Sequence, residues 1–295
     1  MLKKIINNNI FLLILLSAIW GSAFIAIKIA VESTNSVTVA SIRLIIGAII
    51  LYIYFKIKKY KFDYNIKLLI TIFIIGLIGN FIPFFLISWS ENYIKSNMAG
   101  LLLTFAPIFT ILLAHFFTKN EKFKFKKLLA VLIGFLGVIF IFGEESLKDI
   151  FTGNSDTYIP KFAVILAGLG YVISAIIAYN LKKINTITLT TYVTIGAALV
   201  SIPFMIFVEF SNFSIPSSKS SLALIYLGIF PTALAFLLRF YLISEAGPTF
   251  LSYVAYLIPI FAIFWGYVFL NETINTSIFV GLILILFGTY IGQRN

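Results

Sequence analysis

The sequence predicts an all-α membrane protein, with ten transmembrane helices arranged as two inverted five-helix repeats. Three observations lead there. The 295 residues are 61% hydrophobic and 11% charged, whereas soluble chains run at about 45–50% and about 25%. The apolar residues fall into ten windows, each near the roughly 20 residues that a helix needs to cross a bilayer. The two halves also carry the same marks in the same order.

The first window, 10–31, follows Met1-Leu2-Lys3-Lys4, a start that imitates a secretion signal. A signal's apolar core is about 7–15 residues long, so this longer run is expected to remain as the first spanning helix. The second and third windows, 37–56 and 66–90, flank a lysine-rich turn, and the fourth and fifth, 95–118 and 126–143, flank another. A polar, acidic connection from Glu144 to Tyr158 comes next. It sets the expected repeats at 1–145 and 158–295. The second half supplies windows 160–180, 187–208, 220–243, 248–270 and 275–292.

Cytoplasmic loops are enriched in Lys and Arg. With the N-terminus inside, the cytoplasmic segments hold 15 basic residues, and the outer loops hold four: Lys95, Lys148, Lys161 and Lys219. The bias predicts a multi-pass protein of a bacterial-type inner (plasma) membrane with both termini cytoplasmic. It also explains the net charge of +11 as a belt at the membrane surface. The lipid bilayer is the expected partner, and nucleic acid is not.

The internal repeat rests on three matches. Pro107-Ile108-Phe109 in the fourth helix corresponds to Pro259-Ile260-Phe261 in the ninth. Asn120-Glu121 and Asn271-Glu272 follow them, and Gly137 and Gly288 come 16 residues after each glutamate. Five is odd, so a second copy must enter the membrane from the opposite side. Inverted repeats are a recurrent plan of secondary transporters, with the substrate site near the midplane.

Pro83, Pro107, Pro231 and Pro259 lie near the middles of helices three, four, eight and nine. Each removes a backbone donor and displaces the carbonyl four residues earlier. Those carbonyls belong to Gly79, Leu103, Leu227 and Ala255. In lipid they need another partner or an enclosed, wet cavity. Four such kinks predict a central cavity walled by those helices.

With these residues on view, the chain resembles the ten-helix EamA-type members of the drug/metabolite transporter superfamily along essentially its whole length. The resemblance is carried by Ile19-Trp20-Gly21-Ser22-Ala23-Phe24 with Lys28, by Arg43, and by Pro107 and Pro259 with their Asn-Glu pairs. It departs where Asn precedes Glu121 and Glu272, a place where such proteins commonly have Gly. It departs again at Gly170-Tyr171-Val172, where they have a Trp-Gly pair. The resemblance implies two inverted five-helix repeats and the movement of small solutes, often amino acids or other metabolites and often outward.

Charges inside helices are functional candidates by default, because each costs about 2.5–3.5 kcal/mol at the bilayer centre. Lys28 and Arg43 are therefore expected to form a positive vestibule or to latch a gate onto Glu32, Glu91 or Glu209. Glu121 and Glu272, at the ends of helices four and nine, are candidate gate contacts. No Asp or Glu lies centrally in any window, so proton coupling would have to use His115 or a peripheral Glu. The expected pocket combines apolar walls with a few polar groups: Trp20, Ser22, Asn80, Trp89, Thr104, Tyr171, Ser174, Thr232, Tyr253, Tyr256 and Trp265. Gly134, Gly137, Gly288 and Gly292 predict close helix packing, either within the chain or in a homodimer through helices five and ten.

There is one histidine and no cysteine. No metal site, catalytic group or cofactor is therefore expected, and a membrane-embedded enzyme is disfavoured. The function expected is secondary transport of a small-molecule substrate by alternating access through a central cavity. That substrate is amino-acid-like, zwitterionic or anionic, and exported; uptake and facilitated movement stay open as alternatives.

Overall fold

The computed structural model describes residues 2–62, 64–151, 155–212, 215–270 and 276–293. Among the described residues every regular element is helical. Eight helices are long and apolar enough to cross a membrane: α1 (Asn8–Val31), α2 (Ser36–Ile57), α3 (Ile66–Ser90), α4 (Met98–Phe117), α5 (Phe125–Gly143), α6 (Asp156–Asn180), α7 (Thr186–Phe210) and α8 (Ser218–Ser252). Two shorter apolar helices follow, α9 (Val254–Trp265) and α10 (Ser277–Gly292).

Side chains fix where several helices begin. The Asn35 amide oxygen accepts the Val37 N–H at the head of α2, and Asn65 accepts the Leu68 N–H at the head of α3. Ser217 takes the Ser220 N–H at the head of α8. Each satisfies a backbone donor that the first turn leaves open. At Gly247 the backbone reaches φ +88°, a conformation glycine adopts without a Cβ clash. The long α8 is thus two arms that meet at a sharp bend, and Pro248 opens the shorter arm towards α9.

The prolines act where the sequence places them. The α3 ladder widens to a π-helical segment at Leu77–Phe81, just before Pro83. In α8 the segment Gly228–Leu234, which contains Pro231, does the same. Widened turns of this kind absorb a missing i→i−4 bond and bend the helix. α4 is interrupted at Thr104 and Phe105, with Pro107 in the first turn of its second part. Pro259 lies inside α9.

Packing pairs the two halves. α1 lies against α8 and α9, α6 against α3 and α4, α2 against α7, and α5 against α10. Exchanging α1–α5 for α6–α10 turns the α1–α9 contact into α6–α4 and the α1–α8 contact into α6–α3. It returns the α2–α7 and α5–α10 pairs to themselves.

Lipid tails are as apolar as leucine, so helices in a membrane associate by close packing and small residues. The four glycines read as packing residues are all occupied within this chain. A Cβ on Gly137 would meet the Gly281 carbonyl, and one on Gly288 would meet the backbone of Ala130 and Gly134. Gly134 faces the Tyr256 ring, and Gly292 faces Tyr253. Gly281→Leu should therefore push α10 off α5. Overpacking of this kind costs about 1–3 kcal/mol, to be read as a lower unfolding temperature in detergent. An unchanged midpoint would rule out the α5–α10 contact.

Candidate functional site

Two of the four carbonyls displaced by proline have side-chain partners. The Leu227 carbonyl accepts Thr232 Oγ1 at 2.8 Å. The Gly79 carbonyl accepts Arg239 Nη1 at 3.3 Å. Both partners belong to α8, and both lead to one place.

That place is a cavity between α1, α2, α3, α4, α6, α8 and α9, with about 850 Å³ of unfilled space, the part open to solvent included. Its walls are mostly apolar: Phe24 and Ile27 of α1, Phe84 and Ile87 of α3, Val172 of α6, Ile258 of α9. Trp20 and Tyr171 face it as a stacked pair, ring centres 6.3 Å apart. The Trp20 indole N–H donates to the Pro231 carbonyl at 3.1 Å, which ties α1 to the π-helical part of α8.

Two guanidiniums reach this wall. Arg43 and Arg239 are 2% and 1% exposed, a degree of burial that charged residues show almost exclusively when paired. Arg239 is held by four acceptors: the Gly79 carbonyl, Asn80 Oδ1 at 3.2 Å, the Tyr171 carbonyl at 3.2 Å and Ser174 Oγ at 2.6 Å. The rings of Tyr171, Phe236 and Phe240 surround it at 5.3–5.8 Å. Arg43 is held more lightly. Its Nε donates to Thr232 Oγ1 at 3.1 Å, and its Cζ stacks 3.6 Å from the centre of the Phe84 ring. Its two Nη groups donate to no protein acceptor among the described residues. No carboxylate pairs with either arginine among the described residues. No Asp or Glu is among the described residues that line the cavity.

Other predicted site residues separate into groups. Trp20, Tyr171 and Arg43 line the cavity. Asn80, Ser174 and Thr232 sit one layer behind, holding the two arginines. Ser22, Trp89, Thr104, Tyr253, Tyr256 and Trp265 do not line it. The Ser22 hydroxyl shares a hydrogen bond with Tyr226 at 2.5 Å. Trp89 lies against Tyr93, and Thr104 donates to the Leu101 carbonyl. Tyr256 donates to the Val131 carbonyl at 3.0 Å, and Trp265 to the Ala18 carbonyl at 3.0 Å. Tyr253 is buried with its hydroxyl unpartnered.

The gate candidates also have places. Lys28 donates to the Glu91 main-chain carbonyl at 2.7 Å, not to a carboxylate. Glu121 pairs with Lys127 at 2.5 Å and packs against Gly247, where a Cβ would strike its carboxylate. It thereby touches the α8 bend. Glu209 accepts the Thr38 hydroxyl. His115 Nδ1 accepts the Phe123 N–H at 3.1 Å, an arrangement that fastens the turn after α4. Glu272 lies outside the described residues.

Sequence reasoning missed Arg239 as a site residue, together with the lining hydroxyls Thr110 and Ser252. The signal that selected Arg43 was present for Arg239 too, since both are charges well inside an apolar helix.

An all-helical, multi-pass membrane protein with a cationic internal cavity has the build of a solute carrier. The chain belongs to the EamA-like transporter family, whose pattern matches it twice, over residues 8–143 and 161–292. This is a two-repeat architecture, and a general transporter role goes with it. The chain is 23% identical to the uncharacterized transporter YoaV of Bacillus subtilis, with 94% of each chain covered. It is 28% identical to an uncharacterized transporter of Archaeoglobus fulgidus, over 93% of this chain and 95% of that one. A crystal structure that covers 97% of both chains superposes with a TM-score of 0.80 at 14% identity, which supports the fold alone.

Proposed function

We propose that the chain is a secondary transporter of the plasma membrane that exports a small, amino-acid-like metabolite, anionic or zwitterionic, by alternating access. All ten apolar helices cross the bilayer in this proposal, both termini lie in the cytoplasm, and the two five-helix repeats are inverted. The paired contacts of the two halves support that symmetry, as do the π-helical segments at equivalent depth in α3 and α8. The repeats rock about the cavity between them.

One observation carries the choice of substrate: two buried guanidiniums at the wall of an apolar cavity, with no acid among the lining residues. A desolvated cation without a counter-ion is costly, and a substrate carboxylate would supply that counter-ion. Arg43 brings two unused Nη groups in the fork geometry that matches a carboxylate. Trp20, Phe24 and Tyr171 can cover an apolar substrate body. A cationic substrate would meet two like charges instead.

The test is a thermal-shift series on the purified protein with amino acids, mono- and dicarboxylates and primary amines. A ligand at 100 times its Kd stabilises the native state by about 2.7 kcal/mol. Carboxylates should raise the unfolding temperature and amines should not. Stabilisation by amines with none by carboxylates would reverse the proposed charge preference.

A further inference from the structure

The strongest unused feature lies next to the cavity, at the end of α3. Glu91 follows Ser90 and is fully buried. Its Oε2 accepts the Ser96 hydroxyl at 3.0 Å, and its Oε1 has no partner. An ionised carboxylate offers about four lone-pair sites, and a buried one needs them occupied. One donor for two oxygens suits the neutral acid better.

The charges around Glu91 come from every neighbouring element. Lys28 of α1 spends one donor on the Glu91 main-chain carbonyl, and Lys28 and Arg43 both attract the carboxyl through space. On α6, Lys161 is buried beside Pro160, whose carbonyl takes the Ser90 hydroxyl at 2.9 Å. Glu32 and Lys95 are exposed. Burial nevertheless dominates and pushes the Glu91 carboxyl up to about 8, against the pull of Ser96, Lys28 and Arg43.

We infer that Glu91 is a proton-binding site coupled to the anion site through Arg43, so that a proton and the anion bind together. This rests on the anionic substrate proposed above. Arg43 belongs to both sites, because it lines the cavity and is attracted by Glu91. Ionised Glu91 competes with a cavity anion for that guanidinium and repels the anion. Glu91 that has taken up one proton as COOH does neither. Linkage makes the effect reciprocal: an anion on Arg43 raises the proton affinity of Glu91.

Two measurements test it. The first is infrared titration of the purified protein. Wild type at pH 6 should show a buried carboxylic-acid C=O band that fades through pH 8 and is missing from Glu91→Gln. A Glu91 carboxylate already ionised at pH 6 would overturn the inference. The second is binding of phenylacetate and fumarate, which keep their charge from pH 6 to 9, followed by tryptophan fluorescence. With the site titrating near 8, wild-type affinity should fall about tenfold from pH 6 to pH 9. Glu91→Gln, which imitates the protonated form, should bind tightly at both. His115 lies at the opposite end of α4 and is unchanged in that variant, so a surviving pH dependence would assign the proton elsewhere. Binding by wild type with no pH dependence would also overturn the coupling. If neither probe binds at any pH, the anionic-substrate proposal fails, and the infrared band still decides on its own whether Glu91 holds the proton. That band and the wild-type pH series also serve if Glu91→Gln does not fold.

Discussion

Arg239→Ala is expected to abolish transport and to destabilise the protein together, the largest combined effect of any single substitution. The side chain donates to groups on two other helices, Gly79 and Asn80 of α3 and Tyr171 and Ser174 of α6. The Gly79 carbonyl lacks the usual partner four residues on, because Pro83 has no N–H. Without the guanidinium, several buried acceptors lose their donor, at about 1–3 kcal/mol each before relaxation. A net loss of about 3 kcal/mol is expected, visible as a lower unfolding temperature in detergent. Arg239→Lys should rescue little, because an ammonium is a point charge and cannot span acceptors on two helices as a planar fork does. Flux of the best-stabilising carboxylate into proteoliposomes gives the second readout. An alanine variant with wild-type stability would show that α3 and α6 do not depend on this clamp.

Much of this arrangement was legible in the sequence, for a physical reason. A bilayer forces each spanning helix to be long and apolar and each kink to be repaired. Eight of the apolar windows therefore fall on helices long enough to cross a membrane and the last two on shorter apolar helices, and Pro83 and Pro231 mark the π-helical turns of α3 and α8. The displaced carbonyls of Gly79 and Leu227 were predicted to need partners, and both have them. Depth along a helix can be read from residue number, but the direction a side chain faces cannot. Tyr253, Tyr256 and Trp265 lie at suitable positions along the chain, yet they pack against α10, α5 and α1. Apolar periodicity does not tell those faces from the cavity face.

The sequence marks Glu91 as a possible latch for Lys28 or Arg43 but not as a buried acid, for a related reason. A carboxylate just past the end of a spanning helix is ordinarily solvated. Here the chain turns straight into the next helix, so that Ser96 and the α1 lysine close over it. Burial at a helix end is a tertiary fact with no local signature. The expectation that coupling would need His115 or a peripheral Glu left a place for such a residue but did not choose it.

Arg43→Ala should separate function from stability where Arg239→Ala does not. Arg43 makes one side-chain hydrogen bond, to Thr232, and one ring contact, to Phe84. Thr232 keeps its own bond to the Leu227 carbonyl after the change. The ring contact is worth about 2 kcal/mol when desolvated, and removing an uncompensated buried charge returns part of that. The unfolding temperature should therefore move little. Substrate affinity should suffer far more, because the two free Nη groups are the donors proposed for the substrate carboxylate. A hydrogen bond to a charged group contributes about 1.5–3 kcal/mol, which is roughly a ten- to hundredfold weaker Kd and at least as large a fall in flux below saturation. Arg43→Lys should recover part of it, since a cation remains but the fork does not. Binding at pH 6 and pH 9 adds a constraint that no stability effect can imitate. With Arg43 gone, Glu91 has lost the group it shares with the anion, and the pH dependence should shrink along with the affinity. Wild-type affinity and pH dependence in Arg43→Ala would remove this residue from the site and move the anion to Arg239 alone.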